Sequence, residues 1–357
     1  MDTIERTIER IEPLDEEAMK KAKNRQDNLT KPIGSLGLLE DLSVKLAGIT
    51  RNPMPRINSK AIITMAGDHG IVESGIGIYP QDVTAQMVYN FLSGGAAINV
   101  FARHVGAKVI VVDMGVKSDI RPAPESHQDF IVKKIGYGTK NMEKEPAMTR
   151  KQAIRSIKAG IEIFEEIYKR GCDVVGTGDM GIGNTSPSTA ITAVFTGLPV
   201  SKVCGRGTGI DDEKLKRKIE AIENAIELHK PDPADPIDVL SKVGGFEIGG
   251  ICGVVLSACA NHVPVVVDGF ISGVGALIAS KLHPEVKNYL IIAHKSAEPG
   301  HSAVLNELGL SPLLNFNMRL GEGTGAALGI SIVEASAKIL TEMKTFEEAG
   351  VSKAKGE

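Results

Sequence analysis

The sequence predicts an α/β protein with a mainly parallel sheet flanked by helices, and three observations carry that prediction. Apolar runs of strand length alternate with amphipathic stretches, polar glycine-rich segments follow the apolar runs, and both ends of the chain read as helix. Alternation of this kind requires crossover connections, which leave neighbouring strands parallel.

The elements follow in order. Asp15 to Asn28 reads as a helix, and Asn52 to Asn58, with Pro53 and Pro55, reads as a joint before the sheet. Strands are expected at Ala61 to Met65, Lys108 to Asp113, Asp173 to Val175, Val263 to Val267 and Tyr289 to Ala293. Helical periodicity runs over Val83 to His104, Thr149 to Arg170, Asp211 to His229 and Ser272 to Leu282. Three prolines between Pro231 and Pro236 make a second break, and Ala326 to Met343 is a closing helix. The two ends are expected to pack together as a smaller helical domain, formed by 1–56 and 313–357, beside a large α/β domain over 57–312.

Composition narrows the function. The chain has 357 residues, 42% apolar and 24% charged, with a net charge of -3, so an ordinary globular core is expected and a nucleic-acid partner is not. Mixed Lys and Glu on the helical stretches read as solvated faces. Met1 to Glu12 alternates acids and bases, and no run reaches the roughly 18 apolar residues of a membrane span, so a cytoplasmic protein with no membrane contact is expected. Cys172, Cys204, Cys252 and Cys259 lack CxxC spacing, which argues for reduced, buried thiols and against a zinc site.

In parallel sheets, ligands bind beyond the carboxyl ends of the strands. Five polar segments lie there: Ala66 to Gly70, Gly176 to Thr185, Gly205 to Gly209, Asp268 to Phe270, and His294 to His301. The second contains GxGxxG at Gly176, Gly178 and Gly181. No Asp or Glu stands about 20 residues later to hold a ribose hydroxyl, so a dinucleotide site is poorly supported. Its backbone N–H groups, ahead of a helix starting near Thr185, suit a phosphate or a mononucleotide. Asp68, His69, His294, Glu298 and His301 offer metal-ligating groups, but their spacing is not that of a metalloprotease helix, so neither metal nor cofactor is expected. In Gly321-Glu322-Gly323-Thr324-Gly325 a lone carboxylate projects between glycines. It is either a general base or simply an acid near a helix start.

Taken together, these segments resemble the nicotinate-nucleotide:dimethylbenzimidazole phosphoribosyltransferases. The likeness runs from Lys31-Pro32-Ile33-Gly34-Ser35-Leu36-Gly37 to Thr345-Phe346-Glu347-Glu348-Ala349-Gly350-Val351, through Ala66 to Gly70, Tyr79-Pro80-Gln81, Asn90 to Asn99, Asp179 to Thr185, Ser296 to His301 and Arg319 to Gly325. The resemblance implies a Rossmann-like sheet, a small domain from both chain ends and a homodimer. It also implies transfer of a phosphoribosyl group from nicotinate mononucleotide to dimethylbenzimidazole, giving alpha-ribazole phosphate for the cobalamin nucleotide loop. Glu322 would be the catalytic base. Asp179, Gly181, Gly183, Asn184, Lys214, Asp268, Gly269 and Ser296 would hold the nucleotide, and Tyr79, Met87, Met180 and Leu320 the acceptor.

The chemistry needs little else. The pyridinium nitrogen of the nucleotide is a cationic leaving group, so no general acid is required, while attack by one benzimidazole nitrogen acidifies the other N–H and calls for one base. Many relatives carry Glu where this chain has Asp179, and Tyr79, Met87 and Met180 make an adaptable apolar pocket. A phenolic, other benzimidazole or purine acceptor therefore stays open. So does a non-catalytic nucleotide-binding subunit.

Overall fold

The computed structural model describes residues 3–122 and 129–352. Residues 1–2 and 353–357 of the expected terminal units lie outside the described residues. Among the described residues, six strands form one sheet: β1 (Lys60–Gly67), β2 (Lys108–Gly115), β3 (Phe130–Val132), β4 (Val174–Met180), β5 (Val265–Val267) and β6 (Leu290–Ile292). Their order is β3-β2-β1-β4-β5-β6 and every pairing is parallel. This bears out the predicted fold class. The chain winds outward from β1 to β3, then returns to β4, so the order reverses between β1 and β4 and opens a crevice at their carboxyl ends.

The sheet is covered on both faces, which is why its strands read as apolar runs. Alternate residues of β1 divide between the two layers. Ile62 and Ala66 meet Ala326, Ile330 and Val333 of the helix Thr324–Glu342, whereas Ile63 and Met65 join the larger core around the helix Phe246–Ala260. Every residue of Phe246–Ala260 is buried. Gly160 lies so close to it that a Cβ would fall 2.0 Å from the Gly250 carbonyl oxygen.

The chain ends meet. Ala22 of the helix Glu16–Asp27 packs with Ala47 of Leu38–Thr50 and Leu340 of Thr324–Glu342. Arg25 donates to the Leu340 and Met343 carbonyls at 2.7 and 3.1 Å, and Leu29 pairs with Thr345 in an antiparallel bridge. The helix Thr324–Glu342 thus belongs at once to the terminal cluster and to the cover of the sheet.

Several local expectations are corrected. Val83 to His104 is two helices, Asp82–Leu92 and Ala97–Val105, because Gly94, at φ 77°, turns the chain between them. The strand expected at Asp173 to Val175 runs on to Met180, so Gly176 and Gly178 lie in β4 and not in a loop. β3 and Phe246–Ala260 are elements that the sequence pattern does not announce. The first is three residues long, and the second has no polar face to give it helical periodicity. All four cysteines are free and buried. Among the described residues, no helix is long and apolar enough to cross a membrane.

Candidate active site

A cleft opens at the carboxyl ends of β1 and β4. It encloses about 990 Å³, part of it open to solvent, and is lined by Tyr79, the segment Asp179 to Ser186, Gly269, Ser296 and Leu320 among others. Of the residues singled out from sequence, Tyr79, Asp179, Met180, Gly181, Gly183, Asn184, Gly269, Ser296 and Leu320 line it. Met87, Lys214, Asp268 and Glu322 do not. Met87 is half-buried in the patch that contains Phe91, Ile98 and Met180, behind the wall.

One end of the cleft is cationic. Asp211 caps the helix Asp212–His229, and Lys218, on its buried face, reaches the cleft. Its Nζ donates to Thr185 Oγ1 at 2.8 Å and to the Gly205 carbonyl at 3.0 Å, and burial holds its pKa below the usual lysine value. Lys214, one turn earlier, instead donates to the Gly77 carbonyl on the rim at 3.2 Å. Arg319 donates to the Gly207 carbonyl at 2.8 Å, and Arg206 pairs with Asp212. Glu298 braces this end by accepting the Gly207 N–H at 3.0 Å. His301 does not look for a metal: its Nδ1 accepts the Ser296 N–H at 2.9 Å.

Between the ends, the loop after β4 lies on the end of β1. A Cβ on Gly181 would fall 2.2 Å from the Gly67 carbonyl oxygen, so no other residue fits without displacement. Beneath it, His69 and Glu247 approach at 2.9 Å, both fully enclosed. Burial opposes a charge on His69, yet the Glu247 carboxylate outweighs it and raises the imidazole pKa.

The other end is acidic. Asp179 accepts from Asn184 Nδ2 through Oδ2 at 2.9 Å, while its Oδ1 is buried with no hydrogen-bond partner. Burial, reinforced by Asp268 and Glu247, raises its pKa well above the usual range. Gly321, Glu322 and Gly323 run at φ 82°, 65° and 99°. For Glu322 that left-handed backbone costs roughly 1–2 kcal/mol, a local strain at the one carboxylate of the loop. Glu322 is 5% exposed, and its Oε2 accepts the Ile98 N–H at 3.2 Å, near the start of the helix Ala97–Val105. Burial raises its pKa and the Ile98 bond partly offsets the rise. It follows directly on Gly321, which lines the cleft. A Cβ on Gly178 would lie 2.4 Å from the Glu322 carbonyl oxygen, so β4 admits the loop only because that position is glycine.

Sequence reasoning singles out Lys214 where the structure brings Lys218 to the cleft. A signal for Lys218 exists, since Lys218, Ala221, Ile222 and Ala225 form one buried stripe, and a lysine on an apolar stripe needs a reason to be there. His294 and Glu298 fall within one of the five polar segments, and Arg319 within the resembling motif, but nothing in their spacing gives them a role.

Comparison with other proteins shows the family of the chain. A phosphoribosyltransferase family model matches residues 11–351. The nicotinate-nucleotide–dimethylbenzimidazole phosphoribosyltransferase of Desulforudis audaxviator (strain MP104C) is 56% identical over 357 residues, covering 100% of both chains. That of Roseiflexus sp. (strain RS-1) is 57% identical over 352 residues and covers 99% of each. The crystal structure of the enzyme of that name from Thermus thermophilus superposes with a TM-score of 0.89 at 41% identity, covering 96% of this chain and 100% of that one. With likeness over the whole length in sequence and in fold, the chain belongs to the nicotinate-nucleotide–dimethylbenzimidazole phosphoribosyltransferase family.

Proposed function

We propose that this enzyme transfers the phosphoribosyl group of nicotinate mononucleotide to dimethylbenzimidazole, releasing nicotinate and forming alpha-ribazole phosphate for the cobalamin nucleotide loop. The observation that carries the mechanism is the polarity of the cleft, with Lys218 at one end and the Glu322 loop at the other. The phosphate lies by Lys218 and the N-terminus of the helix Thr185–Thr196, where backbone N–H groups and the helix dipole favour an anion. Asp179, Gly181, Gly183, Asn184, Gly269 and Ser296 surround the ribose, and the acceptor lies between Tyr79, Met180 and Leu320, with Met87 backing the wall.

As the acceptor nitrogen attacks the anomeric carbon, the bond to the pyridinium nitrogen breaks, and its electron pair neutralises the ring nitrogen of the departing nicotinate. Attack from the opposite face inverts the centre to the alpha anomer. The acceptor N–H becomes acidic as the new bond forms, and Glu322 takes that proton. Its Oε2 is held by Ile98, which leaves Oε1 for the transfer. Burial favours this step, because a carboxylate with a raised pKa is a stronger base. We further propose a cytoplasmic homodimer.

Incubation with nicotinate mononucleotide and dimethylbenzimidazole, in competition with adenine and a phenol, tests the reading by nicotinate release and product mass. Alpha-ribazole phosphate is the expected product. Glu322→Gln is expected to lower turnover roughly 10²- to 10⁴-fold with nucleotide binding retained. Unchanged turnover in that variant would remove Glu322 as the base, and nucleotide binding without any product would point to a non-catalytic subunit.

A further inference from the structure

The loop that carries Glu322 has to be held in a backbone conformation that its own residues do not favour, and its ties are few. Thr64 of β1 donates through Oγ1 to the Glu322 carbonyl at 2.8 Å, and the Glu322 N–H donates to the Asp179 carbonyl at the end of β4 at 3.1 Å. A further anchor is a side chain. Asp268, directly after β5, accepts the Gly323 N–H through Oδ2 at 3.1 Å and the Ala326 N–H through Oδ1 at 3.0 Å.

Three features give these two bonds more weight than ordinary capping. The helix Thr324–Glu342 starts at Gly323, which has no side chain to cap it, so Asp268 supplies from a distant part of the chain what a local Ser or Asp usually supplies. Asp268 is fully buried, and both of its oxygens are engaged by the N–H groups that follow Glu322. It does not line the cleft, although Gly269 and His294 beside it do; His294 Nε2 stands 3.8 Å from Asp268 Oδ1. An aspartate placed to bind a ribose hydroxyl would face the cleft.

We propose that Asp268 is a positioning residue for the base: its carboxylate clamps the Gly323 and Ala326 N–H groups and so fixes where Glu322 stands relative to the acceptor. The assignment rests on the reading of Glu322 as the base. Thr64 within β1, Asp179 in β4 and Asp268 after β5 then each hold the loop, and among the described residues Asp268 is the side chain that accepts two of its N–H groups. An isosteric amide cannot replace it, because Asn has a single acceptor oxygen and would turn its NH₂ group toward one of the two donors.

The test is a double-mutant cycle with Asp268→Asn, Glu322→Gln and the pair, with nicotinate mononucleotide binding measured by calorimetry beside steady-state kinetics. Asp268→Asn is expected to lower kcat on the order of 10- to 100-fold, the size of effect that misplacing a catalytic group by about 1 Å produces. The nucleotide Kd is expected to stay within about threefold of the unmodified enzyme, and in the Glu322→Gln background the added loss is expected to shrink to about threefold or less. Thr64→Val, which removes a different tie to the same loop, is expected to show the same pattern at smaller size, and it carries the test if Asp268→Asn does not fold. A nucleotide Kd that weakens in step with kcat/KM would make Asp268 a substrate ligand, and losses that multiply in the double variant would make it merely structural. Either result overturns the assignment. Full turnover in Glu322→Gln alone would instead overturn the base and this proposal with it, a failure distinct from an inactive Glu322→Gln with a fully active Asp268→Asn.

Discussion

The two ends of the cleft use buried charge in opposite ways. At the cationic end each of these basic groups is already matched: Lys218 by Thr185 and Gly205, Arg319 by the Gly207 carbonyl, and Arg206 by Asp212 and the Ile210 carbonyl. At the acidic end Asp179, Asp268 and Glu322 are governed by burial, by one another and by hydrogen bonds, and their pKa values rise, that of Asp268 to about 7. The difference teaches which end does which work. On the proposed reading, the end that holds an anion carries Lys218 and Arg319 on neutral acceptors that a phosphate can outcompete, whereas the end that takes up a proton crowds carboxyl groups together out of water until they become basic.

The sharpest way to break this comparison is at Lys218. Lys218→Met keeps the length of the side chain and removes its charge, and KM for nicotinate mononucleotide is expected to rise roughly 10- to 100-fold, as loss of a hydrogen bond to a charged group would produce. The change in kcat is expected to be smaller, and a kcat loss without a KM change would contradict the division of the cleft. A pH series separates the two ends more gently. On the proposed reading Glu322 must be ionised to work and burial raises its pKa, so kcat is expected to fall on the acid side, through a value higher than 4.5. Lys218 must be protonated and its pKa lies below 10.5, so nucleotide KM is expected to rise on the alkaline side before pH 10.5. Glu322→Gln should abolish the acid limb and leave the alkaline one. The smallest effect is expected at Lys214, whose Nζ donates to the Gly77 carbonyl: Lys214→Ala is expected to change KM by about threefold or less, consistent with a single part-buried bond to a neutral acceptor.

The contrast between Lys214 and Lys218 also shows what a sequence can convey. Element type is legible wherever apolar spacing is regular, as in β1, β2 and the helices Arg150–Lys169 and Asp212–His229. Phe246–Ala260 is silent for the opposite reason: buried on all sides, it has no alternation to read. Within the site, the glycines around Glu322 and after β4 mark where backbone has to bend or approach closely, and the structure brings those two loops into contact through the Glu322 N–H and the Asp179 carbonyl. What stays hidden is partnership over distance. Asp268 meets Gly323 across 55 positions of the chain, and no local pattern records which N–H groups a buried carboxylate will receive.

The close approach of Gly178 to the Glu322 carbonyl, and of Gly181 to the Gly67 carbonyl, leaves that side of the cleft built from main chain against main chain. Such a surface has no side chains to trim or enlarge, so point mutation cannot gradually reshape it. Tyr79, Met180 and Leu320 also line the cleft, Tyr79 and Leu320 being 48% and 57% exposed, and their side chains can be exchanged. On the proposed placement of the acceptor, adaptation to a new aromatic ring runs through such side chains, while the main-chain contacts around the Glu322 loop are carried along unchanged.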